Sequence, residues 1–358
     1  MSATGFALGN VASSVALVLV NKKVFAGGFH YPMSLSFFHF IFTVIWYQLL
    51  AVVGQYTPPP SGSDMPTGEK FKVALAGFAS IGFMNLSLNT NSVGFYQITK
   101  LTIIPVTLVI NAVAYGVHAN AKIKIALSIL LLGVGVATVT DVDLRPVGML
   151  FGLLAVLTTA VFQIWQGTKQ KEFGISATQL QAGIAAWQTA QAFAVAAATE
   201  MYCYTTPADG SPCDTAVEFF KSALLQGDAG HQRTLWIVLG TCFLALAVNL
   251  CSFGLIGKTS AITFQVVGHA KTCLVLVGGY LLFPSKLADT QQLYNTIAGV
   301  SFAMIGVILY GHLKHASSQD APDCLDMVCP GCCLYYIEPK YSEAEREETE
   351  GLKGGANA

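Results

Sequence analysis

The sequence predicts an all-α polytopic membrane protein, with ten transmembrane helices arranged as two inverted five-helix repeats. Three observations predict it. Of the 358 residues, 53% are hydrophobic and only 11% charged, where an ordinary soluble domain carries roughly 25% charged residues. Apolar runs close to the ~20 residues that a bilayer span needs recur ten times along the chain. One segment of the first half, SVGFYQITK running into LTIIPV, has a counterpart in the second, SAITFQVVGHAK running into TCLVLV. The mean hydropathy of +0.57 is too high for a chain that hides its apolar surface in a soluble core. That places the chain in a lipid bilayer, while a formal net charge of −1 excludes a generally basic nucleic-acid binder and gives no hint about other partners.

The expected spans are 4–25, 31–54, 71–90, 93–116, 122–140, 147–168, 177–202, 233–255, 259–283 and 291–313. The first begins a few residues from Met1, behind no Arg-rich leader and with no cleavage signal, and is expected to be a retained helix. Turn chemistry separates the others: Gly27-Gly28 before Pro32, TPPPSGSDMP at 57–66, Asp141 to Pro146, and Phe283-Pro284-Ser285. The longest connection, about 203–232, holds Pro, Gly and several acids and reads as a loop. From residue 316 the chain turns Cys-rich and then acidic (SEAEREETEG), which reads as a disordered cytosolic tail.

The two matching segments define the repeat. One offset aligns Ser92 with Ser260, Tyr96 with Phe264 and Gln97 with Gln265; Lys271 falls one helical turn beyond the counterpart of Lys100. Upstream, Asn85-Leu-Ser-Leu echoes Asn249-Leu-Cys-Ser, and downstream GVGVATV echoes IGVILYG. These pairs set the fourth span on the ninth. The unit is therefore five helices, residues 1–145 and 146–315, and an odd number of spans per unit turns the second copy upside down. Ten spans put both termini on one face. That face carries eight lysines against six basic residues opposite, which favours cytosolic termini.

Lys100 and Lys271 are the residues that call for a function. A lysine near the middle of a span costs about 2.5–3.5 kcal/mol on insertion scales. Snorkelling suits Lys22 and Lys23 at the end of the first span, but not these two. A buried salt bridge lacks its acid, since Glu200 alone of the carboxylates falls inside an expected span, and near its end. The same scarcity argues against a proton- or sodium-coupled carrier and against a retinal-type lysine with its counter-ion. It also argues against a membrane hydrolase, because His39 and His269 have no Asp or Cys neighbours in sequence. No enzyme, catalytic residue, metal or cofactor is expected. The missing counter-charge is most economically the substrate, a phosphate or diphosphate of about two negative charges. Tyr96 and Gln97 lie one turn before Lys100 on the same helix face, Thr272 follows Lys271, and Gln265 lies on a neighbouring face. Each of these polar residues read alone could equally be interhelical glue. Pro105 interrupts the backbone ladder of the fourth span.

The nine cysteines make no zinc pattern in the membrane part. Cys242, Cys251 and Cys273 read as small core residues. Cys203 and Cys213 flank a polar loop and could pair if that loop is lumenal. Cys324, Cys329, Cys332 and Cys333, just past the last span, suit juxtamembrane acylation.

At these residues the sequence resembles the nucleotide-sugar and triose-phosphate translocators of the drug/metabolite transporter superfamily. The resemblance runs through NKKVF (21–25), NLSLNTNSVGFYQITKLTIIPV (85–106), GVGVATVTDV (133–142) and GKTSAITFQVVGHAKTCLVL (257–276). It is nearest to the Lys-Thr group, the plant-type UDP-galactose, UDP-rhamnose and UDP-xylose carriers, whose mark is Gly-His-x-Lys-Thr, here Gly268 to Thr272 with His269 inside it. The resemblance implies the drug/metabolite transporter fold, a Golgi or ER membrane, and antiport of a cytosolic UDP-sugar for lumenal UMP. The binding residues it implies are Lys100 and Lys271 on the phosphates. Plastid phosphosugar carriers, which exchange triose phosphate or phosphoenolpyruvate, are also similar but carry Lys-Arg where Lys271-Thr272 stands. A non-transporting membrane receptor or enzyme is the reading from another class. The seventh span departs from the related carriers: Thr178-Gln179-Leu180 continues as Gln181-Ala182-Gly183, with Ala186 where they resemble a proline. The resemblance therefore does not name the sugar, and the sequence gives no oligomeric state.

Overall fold

The computed structural model describes residues 2–60, 64–90, 93–138, 146–203, 215–282, 290–318 and 323–325. Among them all regular structure is helical: α1 (Ala3–Ala26), α2 (Pro32–Val52), α3 (Thr67–Thr90), α4 (Val93–Tyr115), α5 (Ala121–Thr138), α6 (Pro146–Glu172), α7 (Ala177–Ala196) with a π-helical turn (Ala197–Met201), α8 (Ala216–Leu224), α9 (Ala229–Lys258), α10 (Ala261–Leu282) and α11 (Thr290–Ser318). Over the described residues, each expected span overlaps one of these helices. Five segments, Ala3–Phe25, Pro32–Val52, Pro146–Glu172, Ala229–Lys258 and Tyr294–Ser317, are long and apolar enough to cross a membrane. The chain is a multi-pass membrane protein.

Local chemistry sets the helix ends. Ser2 accepts the Gly5 N–H at 3.1 Å to start α1. Pro32 opens α2, where its missing N–H costs nothing. Ser176 and Gln179 cap each other reciprocally at α7, the Gln179 side chain accepting the Ser176 N–H at 2.8 Å. Thr215 and Asp228 cap α8 and α9. α1 stops at Gly27-Gly28, where Gly28 takes φ +89°, a left-handed conformation that favours glycine. α4 continues through Pro105.

Two elements differ from the sequence reading. The connection expected as a loop holds α8. Its Ala216, Phe219 and Ala223 make one buried face at i, i+3 and i+7, and Phe219 packs edge-on against Phe29 with ring centroids 5.1 Å apart. Nine residues are too few for a span-length pattern to reveal. The seventh span ends as α-helix at Ala196, and the π-turn after it carries Glu200. That carboxylate accepts the N–H groups of Met33 (2.8 Å) and Ser34 (2.7 Å) at the start of α2. A helix N-terminus carries partial positive charge, so it answers the charge that no lysine meets.

The helices group into two compact units. The first comprises Met1–Gly82 and Trp165–Thr259. Within it α1 packs on α9 and α2 on α7. Asn10 Nδ2 donates to Ser252 Oγ at 2.9 Å, Tyr47 Oη to Gln181 Oε1 at 2.9 Å, and Gln170 Nε2 to the Phe253 carbonyl at 3.0 Å. Lys169 near the end of α6 bonds both Glu69 of α3 and Glu172, each at 2.9 Å. Lys72 and Lys169 together hold the half-buried Glu69 carboxyl below its ordinary range, through hydrogen bonds to Lys72 first and Lys169 second.

The second unit comprises Phe83–Ile164 and Ser260–Ala358. Its core gathers Ile104, Leu127, Leu130, Val134, Val266 and Tyr310. α5 and α11 approach at backbone distance: a Cβ on Gly299 would fall 2.5 Å from Ala137 N, and one on Gly306 2.5 Å from Leu130 N. The residue 316 at which the tail was expected to begin lies inside α11. Beyond it, Asp323 makes a buried ion pair with Lys122 of α5 at 2.9 Å, and the Cys324 N–H donates to His312 Nε2. The rest of the tail, with Cys329, Cys332 and Cys333, lies outside the described residues. So do the 141–145 turn, Phe283-Pro284-Ser285 and Cys213. Cys203 is disulfide-bonded. Cys242, Cys251 and Cys273 are buried free thiols, and Cys324 is free and half-buried.

Candidate functional site

Lys100 and Lys271 come from opposite halves of the sequence, yet both belong to the second unit, on α4 and α10, which touch. Both side chains are half-buried. Lys100 lies near enough to act electrostatically on Lys271 and on His269. Two cations within electrostatic reach of one another repel, and a bound anion would relieve the repulsion.

Every described carboxylate is committed elsewhere. Asp64 meets Lys70 (2.7 Å), Glu69 meets Lys72 and Lys169, Glu172 meets Lys169, Glu218 meets Lys221, and Asp323 meets Lys122. Asp228 caps α9 and Glu200 caps α2. Among the described residues, Lys271 makes no hydrogen bond or ion pair. No group of three or more His, Cys, Asp or Glu among them is placed to hold a metal ion.

Around the lysines α10 supplies the rest. His269 is 6% exposed, and its Nε2 has no partner among the described residues. A buried, unsatisfied ring nitrogen in a lysine-bearing site is a polar group in want of a ligand. Thr272 Oγ1 donates to the Gly268 carbonyl one turn back, at 3.2 Å. Its hydroxyl hydrogen is thus spent on its own helix, and Thr272 shapes the wall rather than donating to an anion. A Cβ on Gly268 would meet nothing within 4 Å, so the helix face shared with Lys271 and Thr272 borders open space. Gln265 Nε2 donates to Gln163 Oε1 of α6 at 2.7 Å. Tyr96 and Gln97 lie in the first turns of α4, and their side chains are outside the described ones. Gln163 is the residue that sequence reasoning missed; the signal was a glutamine deep in an apolar span, which the search for charges passed over.

A multi-pass helical chain with half-buried lysines on two touching helices has the make-up of a membrane transporter. Residues 6–311 match the Triose-phosphate Transporter family, and the chain belongs to it. It is 36% identical to UDP-xylose transporter 2 of Arabidopsis thaliana over 312 residues, 87% of this chain and 81% of that protein. It is 35% identical to UDP-xylose transporter 1 of the same plant, over 311 residues, 87% of this chain and 83% of that one. With UDP-rhamnose/UDP-galactose transporter 1, also from Arabidopsis thaliana, it shares 32% identity over 332 residues, 87% of each chain. The family is one of carriers, and the protein is a transporter and not an enzyme.

Proposed function

We propose that the protein exchanges a cytosolic UDP-sugar for lumenal UMP by alternating access, in a Golgi or ER membrane. All ten long helices cross the bilayer in this reading, as inverted repeats 1–145 and 146–315. The observation that carries it is the pairing of Lys100 and Lys271 on touching helices, with every described carboxylate engaged elsewhere. The pair holds the diphosphate of the incoming ligand and the monophosphate of the outgoing one. His269, Gln265, Tyr96 and Gln97 line the pocket, and Thr272 bounds it. The named activities of the relatives support a UDP-sugar of the xylose, rhamnose or galactose type. The disulfide at Cys203 supports an oxidising, lumenal side for the connection after α7, which with ten spans makes both termini cytosolic.

The test is uptake into proteoliposomes preloaded with UMP and offered a panel of labelled nucleotide sugars. Saturable uptake of UDP-sugars is the expected result. Exchange of triose phosphate or phosphoenolpyruvate alone would replace the reading with an organophosphate exchanger, and no exchange of any phosphorylated ligand would remove the transport of phosphate esters altogether.

A further inference from the structure

Gln163 of α6 and Gln265 of α10 meet end to end inside the second unit, each 8% exposed. Gln265 Nε2 donates to Gln163 Oε1 at 2.7 Å, and this is the only hydrogen bond of either amide group among the described residues. Burying a primary amide in an apolar bundle with most of its capacity unused is costly. The uncommitted atoms are therefore informative. On Gln265 they are one acceptor, Oε1, and one remaining N–H donor, side by side. Gln265 Oε1 is not among the fully buried unpartnered atoms of the unit, which include His269 Nε2 and Thr107 Oγ1.

An adjacent acceptor and donor complement the imide edge of a uracil, which offers an N–H beside a carbonyl oxygen. Position agrees. Gln265 precedes Lys271 by six residues, about 9 Å along the helix axis. That separates a base-reading amide from a phosphate-holding ammonium by about the length of a nucleoside. The relatives' named ligands differ in the sugar but share uridine diphosphate. A side chain fixed in one orientation suits the shared part.

Resting on the nucleotide-carrier reading, we infer that Gln265 recognises the uracil edge and that Gln163 is a positioning residue, holding the Gln265 amide with its Oε1 and second N–H turned to the ligand. Without Gln163 the Gln265 amide turns freely, and one N–H loses its acceptor. The base then pays in affinity for ordering it.

The measurement is inhibition of exchange in proteoliposomes of the full chain by two probes, UMP and inorganic phosphate. Phosphate reports the lysines alone; UMP reports lysines and base together. Gln163→Met keeps the length and removes the acceptor. It should raise the inhibition constant for UMP by about five- to tenfold and leave that for phosphate unchanged. Gln163→Glu, which still accepts from Gln265, should restore the ratio of the two constants. Gln163→Met combined with Gln265→Met should be no worse than Gln265→Met alone, because the two act as one. Parallel losses for both probes would mean general damage and overturn the assignment. Loss of UDP-sugar affinity with UMP unaffected would move the pair to the sugar and overturn it too. If UMP failed to inhibit the wild type, the nucleotide-carrier reading itself would fall, a result separate from any effect of Gln163.

Discussion

On the proposed exchange reading, replacing Lys271 by methionine should turn a strict exchanger into a leaky one. In the wild type Lys271 is half-buried, has no hydrogen bond or ion pair among the described residues, and stands within electrostatic reach of Lys100. While the site is open to one side, water covers the charge. During reorientation with no ligand bound the cavity closes, and that cover is lost. The insertion-scale cost of about 2.5–3.5 kcal/mol for one lysine corresponds to a rate lower by roughly 10²-fold, at tenfold per 1.36 kcal/mol. A bound phosphate ester of about two negative charges removes most of the barrier. Uptake of labelled UDP-sugar into UMP-loaded liposomes should then exceed uptake into empty ones by roughly 10²-fold or more, with no proton or sodium gradient. In Lys271→Met total exchange should collapse, because half of the phosphate station is gone, while the loaded-to-empty ratio of the residual flux falls toward one. The folded protein should survive: removing a charge with no protein partner costs little, and detergent unfolding curves should superimpose on the wild type. Comparable wild-type uptake into empty and loaded liposomes would refute the reasoning. So would strong acceleration by an imposed pH gradient at any pH tested.

Three further outcomes are expected. Thr272→Arg adds a third cation where a wall now stands and should shift preference from UDP-sugar toward compact phosphates, read by competition with triose phosphate; an unchanged preference would separate Thr272 from the pocket. Gly299→Leu forces side-chain atoms against the Ala137 backbone and should destabilise by at least about 1–3 kcal/mol, whereas Gly240→Ala in α9, where a Cβ meets nothing within 4 Å, should be neutral or slightly stabilising. Thermal unfolding in detergent compares the two, and equal midpoints would contradict the close α5–α11 packing. Glu69 has a depressed pKa, so its contribution is complete above the unfolded carboxyl range near 4.5 and fades as pH falls through the lower folded value. Its ion pairs lie at the surface, which limits the effect to less than about 1 kcal/mol; Glu69→Gln should lower stability at neutral pH by that amount and reduce the acid sensitivity by the same part, read by detergent unfolding across pH.

The helices were legible because a bilayer imposes a length and a composition that survive in one sequence. The lysines were legible for the same reason, since a cation in an apolar run stands out against its surroundings. What escaped depended on contacts rather than on runs. α8 is short, and its three-residue apolar face takes meaning only from Phe29 and Tyr31, distant in sequence. Asp323 lies in a stretch polar enough to read as tail, and only the approach of Lys122 makes it structural. Gln163 is one apolar-span glutamine among several until Gln265 is found 2.7 Å away.

Glu200 shows how a contact can close a mechanistic question that composition only raised. As the single acid within an expected span it was the one candidate for a coupling carboxylate. A proton-coupled carrier needs such a group to be charged on one side of the membrane and neutral on the other, with a lysine or substrate to sense the difference. Glu200 instead sits in the first unit, with both oxygens on backbone N–H groups at the start of α2. Those two bonds commit the carboxylate to a helix end rather than to a lysine. The lysines lie in the other unit, with Lys100 close to Lys271. On the proposed reading, the charge that answers the lysines arrives and leaves with the ligand, which is the physical content of exchange.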